Sequence, residues 1–283
     1  MARLLDTPIT QSDISDYISA HSDFSFELHV LRLLRSSTIS CEHGGHYTDP
    51  VTKKSREFDI RARTSIDNVT ARFAVECKNI RANFPVVVSR LPRSKEDSFN
   101  EVCQLEDAKI DNGPFGLSSK PLGLHSRAQR IKNRKTTIYP IGEPVGKSLA
   151  QVGRATDNSI TSGDSEIYEK WGQALASLTD LVEEMSSDGR GEPRPHFSFC
   201  IPAIVVPDNR LWAVDYDYDG NLVGNAQSVD HCSFFIGKDY SVGFSEPSYV
   251  VSHLELFTLT GFQNFIKDRL LSLEALRSLI GRA

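Results

Sequence analysis

The stretch that most limits what this chain can become runs from Asp49 to Asn79 and reads as a β-hairpin. Both arms alternate with period two, as half-buried strands do. On the first arm Phe58, Ile60 and Ala62 share one face, and Glu57, Asp59, Arg61 and Arg63 share the other. On the second arm Phe73, Val75 and Cys77 form the apolar face, with Glu76 and Lys78 opposite. Asp67-Asn68 is the best two-residue turn, because both residue types tolerate the left-handed backbone that tight hairpins need. That turn places Asp59 directly across from Glu76 on the polar face, with Lys78 one step away. Two carboxylates facing each other across a ladder repel. A positive group must sit between them, either Lys78 or a divalent cation, whose preferred partners are hard carboxylate oxygens.

Asp59 followed by Glu76-Cys77-Lys78 at the end of the next strand resembles the PD-(D/E)xK nuclease superfamily, the restriction-endonuclease-like fold. Phe58 stands where the motif's name has proline. The resemblance is sharpest over residues 23–79. It implies that Asp59, Glu76 and the Cys77 backbone carbonyl bind Mg²⁺ or Mn²⁺, and that Lys78 orients the attacking water or offsets phosphate charge. A helix beginning at Ser22 or Asp23 puts Glu27 on the same stripe as Val30, Leu31 and Leu34, near its first turn. A carboxylate there needs a partner: either a local cap or ion pair, or, as the resemblance implies, a place as the third acidic group of the site. The implied activity is metal-assisted phosphodiester hydrolysis by an endonuclease, on DNA ahead of RNA, in restriction, repair or defence. Two rivals stand beside it: a non-catalytic nucleic-acid-binding or assembly module on the same fold, and a nuclease subunit active only with a partner or as a homodimer.

The remaining elements follow from pattern. Residues 12–20 hold a short helix or a lead-in. Residues 39–47 read as a strand with a glycine break, and Phe84 to Ser89 as another. From Leu91 to about Asp164 no periodicity is sustained, which suggests a long insertion; residues 96–111 are acidic and predict a helix. Residues 165–186 form an amphipathic helix with Ile167, Trp171, Leu175, Leu178, Val182 and Met185 as its core stripe. Either Lys170 or Gln173 could face the site. A central strand from Phe197 follows, then a turn at Asp208-Asn209 into a hairpin partner from Arg210. A strand from Tyr249 comes next, and a last helix spans 261–280. The expected architecture is one α/β domain over 1–283 with a mixed sheet and an α-β-β-β-α-β core. An insertion at about 91–164 and extra strands plus a helix at 207–283 complete it.

Other motifs carry less. Lys53, Lys54 and Arg56 could meet a phosphate backbone. So could Arg127, Arg130, Lys132, Arg134 and Lys135 in a segment with six Lys or Arg and no acid. A net charge of −5 neither supports nor excludes nucleic acid. Cys41, His43 and His46 lack a fourth zinc ligand. Gly142-Glu-Pro-Val-Gly-Lys-Ser is one residue short of a phosphate loop. Asp215, Asp217 and Asp219 lack the closing Glu of a calcium loop, since Ala226 stands there. Five scattered cysteines with no CxxC pair, no signal-peptide pattern and no long apolar run predict reduced thiols in a cytoplasm and no membrane span.

Overall fold

A computed structural model describes residues 5–107, 125–134, 137–189, 192, 194–240 and 249–281. Its helices are α1 Gln11–His21, α2 Phe24–Ser36, α3 Ser165–Glu184, α4 Leu259–Arg269 and α5 Leu273–Leu279. Ahead of α3 run β1 Ser40–His43, β2 His46–Thr48, β3 Ser55–Glu57, β4 Ile60–Ile66 and β5 Val69–Cys77. They are followed by β6 Val86–Pro92, β7 Asn100–Asp107, β8 His125–Asn133, β9 Pro144–Arg154 and β10 Ile160–Gly163. After α3 come β11 His196–Val206, β12 Leu211–Tyr216, β13 Leu222–Ser228, β14 His231–Tyr240 and β15 Tyr249–Thr258.

One large mixed sheet runs β1-β4-β5-β11-β15-β14-β9-β6-β12-β13, with β10 on β9 and β7 joining β11 to β8. The hairpin register is the one its turn dictates: Ile60 pairs with Val75 and Ile66 with Val69, and Asp67 adopts a φ of +56°. β11 lies parallel to β5 on one side and to β15 on the other. Helices cover both faces at this point. Val30 and Leu34 of α2, Phe262 of α4 and Leu276 of α5 pack on Ile60, Phe73, Val75 and Phe257. On the opposite face Leu178, Leu181 and Val182 of α3 meet Ala74 and Cys200, and Ile167 and Ala174 meet Ile204 and Leu256. All nine residues of β5 are therefore buried, the usual state of a strand with both faces covered.

Four expectations need correction. The helix expected over 96–111 does not form over the described residues 96–107: Asn100–Asp107 are β7, clamped between β8 and β11, and that pairing overrides the local reading, while 108–111 lie outside the described residues. Arg210 does open a strand after the Asn209 turn, but β12 pairs with β6 and β13. Beside β11 the places are already filled by β5 and β15. The helix expected over 261–280 is two helices, because the Ser272 hydroxyl accepts from the Ala275 amide and caps a fresh start. Phe58 does not share a face with Ile60. The first arm breaks at Phe58-Asp59, so that β3 pairs with β2 while β4 pairs with β1 and β5. Phe58 joins Tyr47 and Ala176 on the α3 side, with the Arg61 guanidinium 4.2 Å over its ring. Gly45 permits this, since a Cβ there would overlap the Phe58 ring. Among the described residues between 91 and 164, β7 to β10 join the large sheet.

Candidate functional site

The open end of the β4–β5 hairpin carries the chemistry. Asp59 immediately precedes β4 and Glu76 sits one residue from the end of β5, so the ladder that pairs Ile60 with Val75 sets them opposite. The polar face on which they lie is covered by α3. That helix delivers Lys170, whose Nζ lies 2.6 Å from Asp59 Oδ2 and 3.3 Å from Glu76 Oε2. Asp59 Oδ2 also accepts the Cys77 amide at 2.7 Å. Glu76 is fully buried, and its Oε1 has no hydrogen-bond partner. Burial, and then the negative charge of Asp59, push the Glu76 carboxyl well above its ordinary range against the pull of Lys170. The carboxylates in turn raise the Lys170 ammonium although burial opposes them.

Glu27 belongs to the same group. Its carboxylate contacts His43 Nε2 at 3.1 Å, and burial followed by the charge of Asp59 raises its pKa. Asp23, at the start of α2, makes no cap bond there. Its carboxylate instead accepts the Asn79 amide at 2.8 Å and Lys78 Nζ at 3.2 Å. Lys78 is also 3.5 Å from Glu166. Lys78, one of the two groups offered to balance the facing carboxylates, turns instead to Asp23 and Glu166, and Lys170 lies against both carboxylates. Helical spacing does not select Lys170 over Gln173, because Lys170 stands between buried Ile167 and Ala174 while Gln173 stands three and four residues before buried Ala176 and Ser177.

The donor set suits a hard cation, because Glu76 Oε1 is a buried carboxylate oxygen with no donor. Among the described residues, however, no group of three or more His, Cys, Asp or Glu converges closely enough to hold a metal ion. Cys41 is a free thiol, and His43 is engaged with Glu27. The Gly142–Ser148 run enters β9 and opens no helix, so it forms no phosphate loop.

The basic residues marked for nucleic acid are dispersed. Arg56 pairs with Asp49 at 2.9 Å, and Arg130 stands 3.5 Å from Glu101. Lys132 lies 3.6 Å over the Phe99 ring, and Arg134 donates to the Lys95 carbonyl. Lys53 and Lys54 are exposed in the β2–β3 turn. Lys135 and the side chain of Arg127 lie outside the described residues. No helix among the described residues is long and apolar enough to cross a membrane.

Over 101 residues the chain is 28% identical to protein-tyrosine sulfotransferase 2 of Gallus gallus; the match covers 33% of this chain and 27% of that protein. No family model and no solved structure matches. The sulfotransferase match overturns the expectation of a phosphodiester-cleaving nuclease, since it points to a transferase.

Proposed function

We propose that the chain is an enzyme and that its reaction centre is the cluster of Asp59, Glu76, Glu27 and Lys170. It would act with a divalent cation on a substrate bearing an oxyanion group. One observation carries this reading: a buried Glu76 faces Asp59 with one carboxylate oxygen left without a donor. Such an oxygen is stabilised by a proton or by a cation. Mg²⁺ or Mn²⁺ would be held by Asp59 and Glu76, with the Cys77 carbonyl, and Glu27 would hold a second ion or a ligand water. A bound ion of this kind polarises an oxyanion and stabilises the charge that develops on it. Three carboxylates against one ammonium would otherwise repel an anionic substrate. Lys170 is the chain's own positive group in the cluster, placed to offset charge on the reacting group. Lys78, anchored by Asp23 and Glu166, supplies a second ammonium at the rim. The sulfotransferase match contributes the reaction class alone, transfer of an oxyanion group to an acceptor, because it spans 27% of that enzyme.

At the level of fold, the run α2, β1, β4, β5, α3, β11 supports a restriction-endonuclease-like core, with β1, β4 and β5 antiparallel and β11 parallel to β5. A fold does not bring an activity with it, so this assignment stands apart from the reaction.

Calorimetric titration with Mg²⁺ and with Mn²⁺, in two buffers of different ionisation heat, tests the centre. The expected result is saturable binding with proton release, because the cation displaces a proton from the raised Glu76 carboxyl. Binding should vanish in Glu76→Gln. Absence of binding by the folded wild-type chain at millimolar cation would overturn the reading. A labelled sulfuryl donor then tests the reaction class: transfer should occur with the wild type and stop with Asp59→Asn.

A further inference from the structure

A cavity of about 390 Å³ opens away from the acid–lysine cluster, where the ends of β6, β14 and β15 meet residues 137–144 and α4. It shares no residue with the acid–lysine cluster. Its wall holds Arg93, a guanidinium only 3% exposed. A buried charge is ordinarily paired. Arg72, 1% exposed, shows this chain doing so: Asp188 grips it through two hydrogen bonds of 2.5 and 2.7 Å. Arg93 has no ion pair among the described residues. It donates to the Pro140 carbonyl and the Ser233 hydroxyl and lies 5.3 Å over the Tyr139 ring.

Burial lowers the Arg93 pKa and the charge of the nearby Glu255 opposes this, but Glu255 makes no ion pair with Arg93. The Glu255 carboxylate oxygens face the Tyr139 hydroxyl at 2.6 Å and His231 Nε2 at 2.5 Å. Arg90 is matched bidentately to Asp215. His253, stacked on Tyr139, is kept neutral by burial and then by the Arg93 charge. Arg269 reaches the same cavity from α4, with only a 3.5 Å contact to Thr137 and no ion pair among the described residues. Glu143 is the lining carboxylate that stays in water at the rim.

We infer that this cavity binds a small organic anion through a phosphate, sulfate or carboxylate group, which supplies the missing counter-charge to Arg93 and Arg269. Guanidinium groups match such planar or tetrahedral oxyanions through forked hydrogen bonds. The volume is that of a small-molecule site, large enough for the anionic group and a short organic body. The inference is independent of the reaction proposed above.

Inorganic phosphate and acetate, titrated separately into the full chain by calorimetry, test it. The expected result is saturable binding of one or both, weakened about tenfold or more in Arg269→Ala. Arg269 is used because Arg93→Ala would also disturb the core. Lys170→Met should bind as the wild type does. If neither anion binds into the millimolar range, or Arg269→Ala binds unchanged, the inference fails. Weakening by Lys170→Met in place of Arg269→Ala would move the anion to the acid–lysine cluster and equally overturn it.

Discussion

Replacing Lys170 by methionine keeps the length of the side chain and removes its charge. The ammonium makes two carboxylate contacts, at 2.6 and 3.3 Å. Each amounts to about 5–6 kcal/mol of gross attraction at an effective dielectric near 20. Desolvation cancels most of this, and removing one partner from a buried ion pair costs about 3–5 kcal/mol. Glu76 limits the loss by taking up a proton. Its folded carboxyl already titrates above the ordinary value of 4.5, chiefly through burial. A raised carboxyl stabilises the fold fully below its ordinary value and loses that contribution as pH rises through the raised one. Without Lys170 the carboxyl moves higher still, so the deficit is greatest above neutrality and shrinks toward acid. At pH 8 a loss of about 3 kcal/mol should lower the urea midpoint by about 1 M. Magnesium at about 100 times its Kd should stabilise the variant by about 2.7 kcal/mol over its metal-free form, and should narrow the deficit where the variant, freed of the competing ammonium, binds the cation more tightly than wild type. The assay is urea unfolding of wild type and Lys170→Met at pH 5, 7 and 8, with and without Mg²⁺. A variant as stable as wild type at pH 8 would refute the charge-balance argument. A deficit indifferent to both pH and Mg²⁺ would refute it as well.

Other outcomes follow from the same geometry. Asp188→Asn leaves the buried Arg72 guanidinium with Glu184, 3.5 Å from its Nε, as its remaining counter-charge, and thermal unfolding should register a loss of about 3 kcal/mol. Burial pushes the Asp188 carboxyl up, but hydrogen bonds from Arg72 and then its charge hold it below the ordinary value of 3.8. Its contribution is therefore present above that value and lost as pH falls through the lowered one, so wild type and variant should converge only in strong acid. Lys78→Ala removes half-exposed pairs with Asp23 and Glu166 and should cost about 1 kcal/mol or less by urea unfolding, well short of Lys170→Met. Gly261→Ala would drive a Cβ into the Asp230 carbonyl oxygen, a backbone atom tied to the Thr258 amide at 2.9 Å. Calorimetric unfolding should show a loss of about 1–3 kcal/mol or more, with α4 displaced.

What the sequence determined is local. Period-two alternation and the Asp67-Asn68 turn specify the β4–β5 register, because a slip of one residue would turn Ile60, Phe73 and Val75 out of the core. That register alone sets Asp59 against Glu76. The stripe of Ile167, Leu178, Val182 and Met185 likewise specifies α3, and β11 is apolar enough to be read as central. Where local and distant demands compete, the distant ones prevail: β7 is held as a strand by two neighbours, and β12 is sent to β6 because β11 has no free edge. The balance of the site was decided in the same way. Lys170 lies 94 residues from Glu76 and 111 from Asp59, and only the packing of α3 across the hairpin brings its ammonium between them. Lys78 is nearer in sequence, yet Asp23 draws it aside. Arg93 gives no sign in its own neighbourhood of being buried without an ion pair. Burial is a property of the assembled sheet, and desolvation, which gives these charges their energetic weight, exists only once the chain has closed around them.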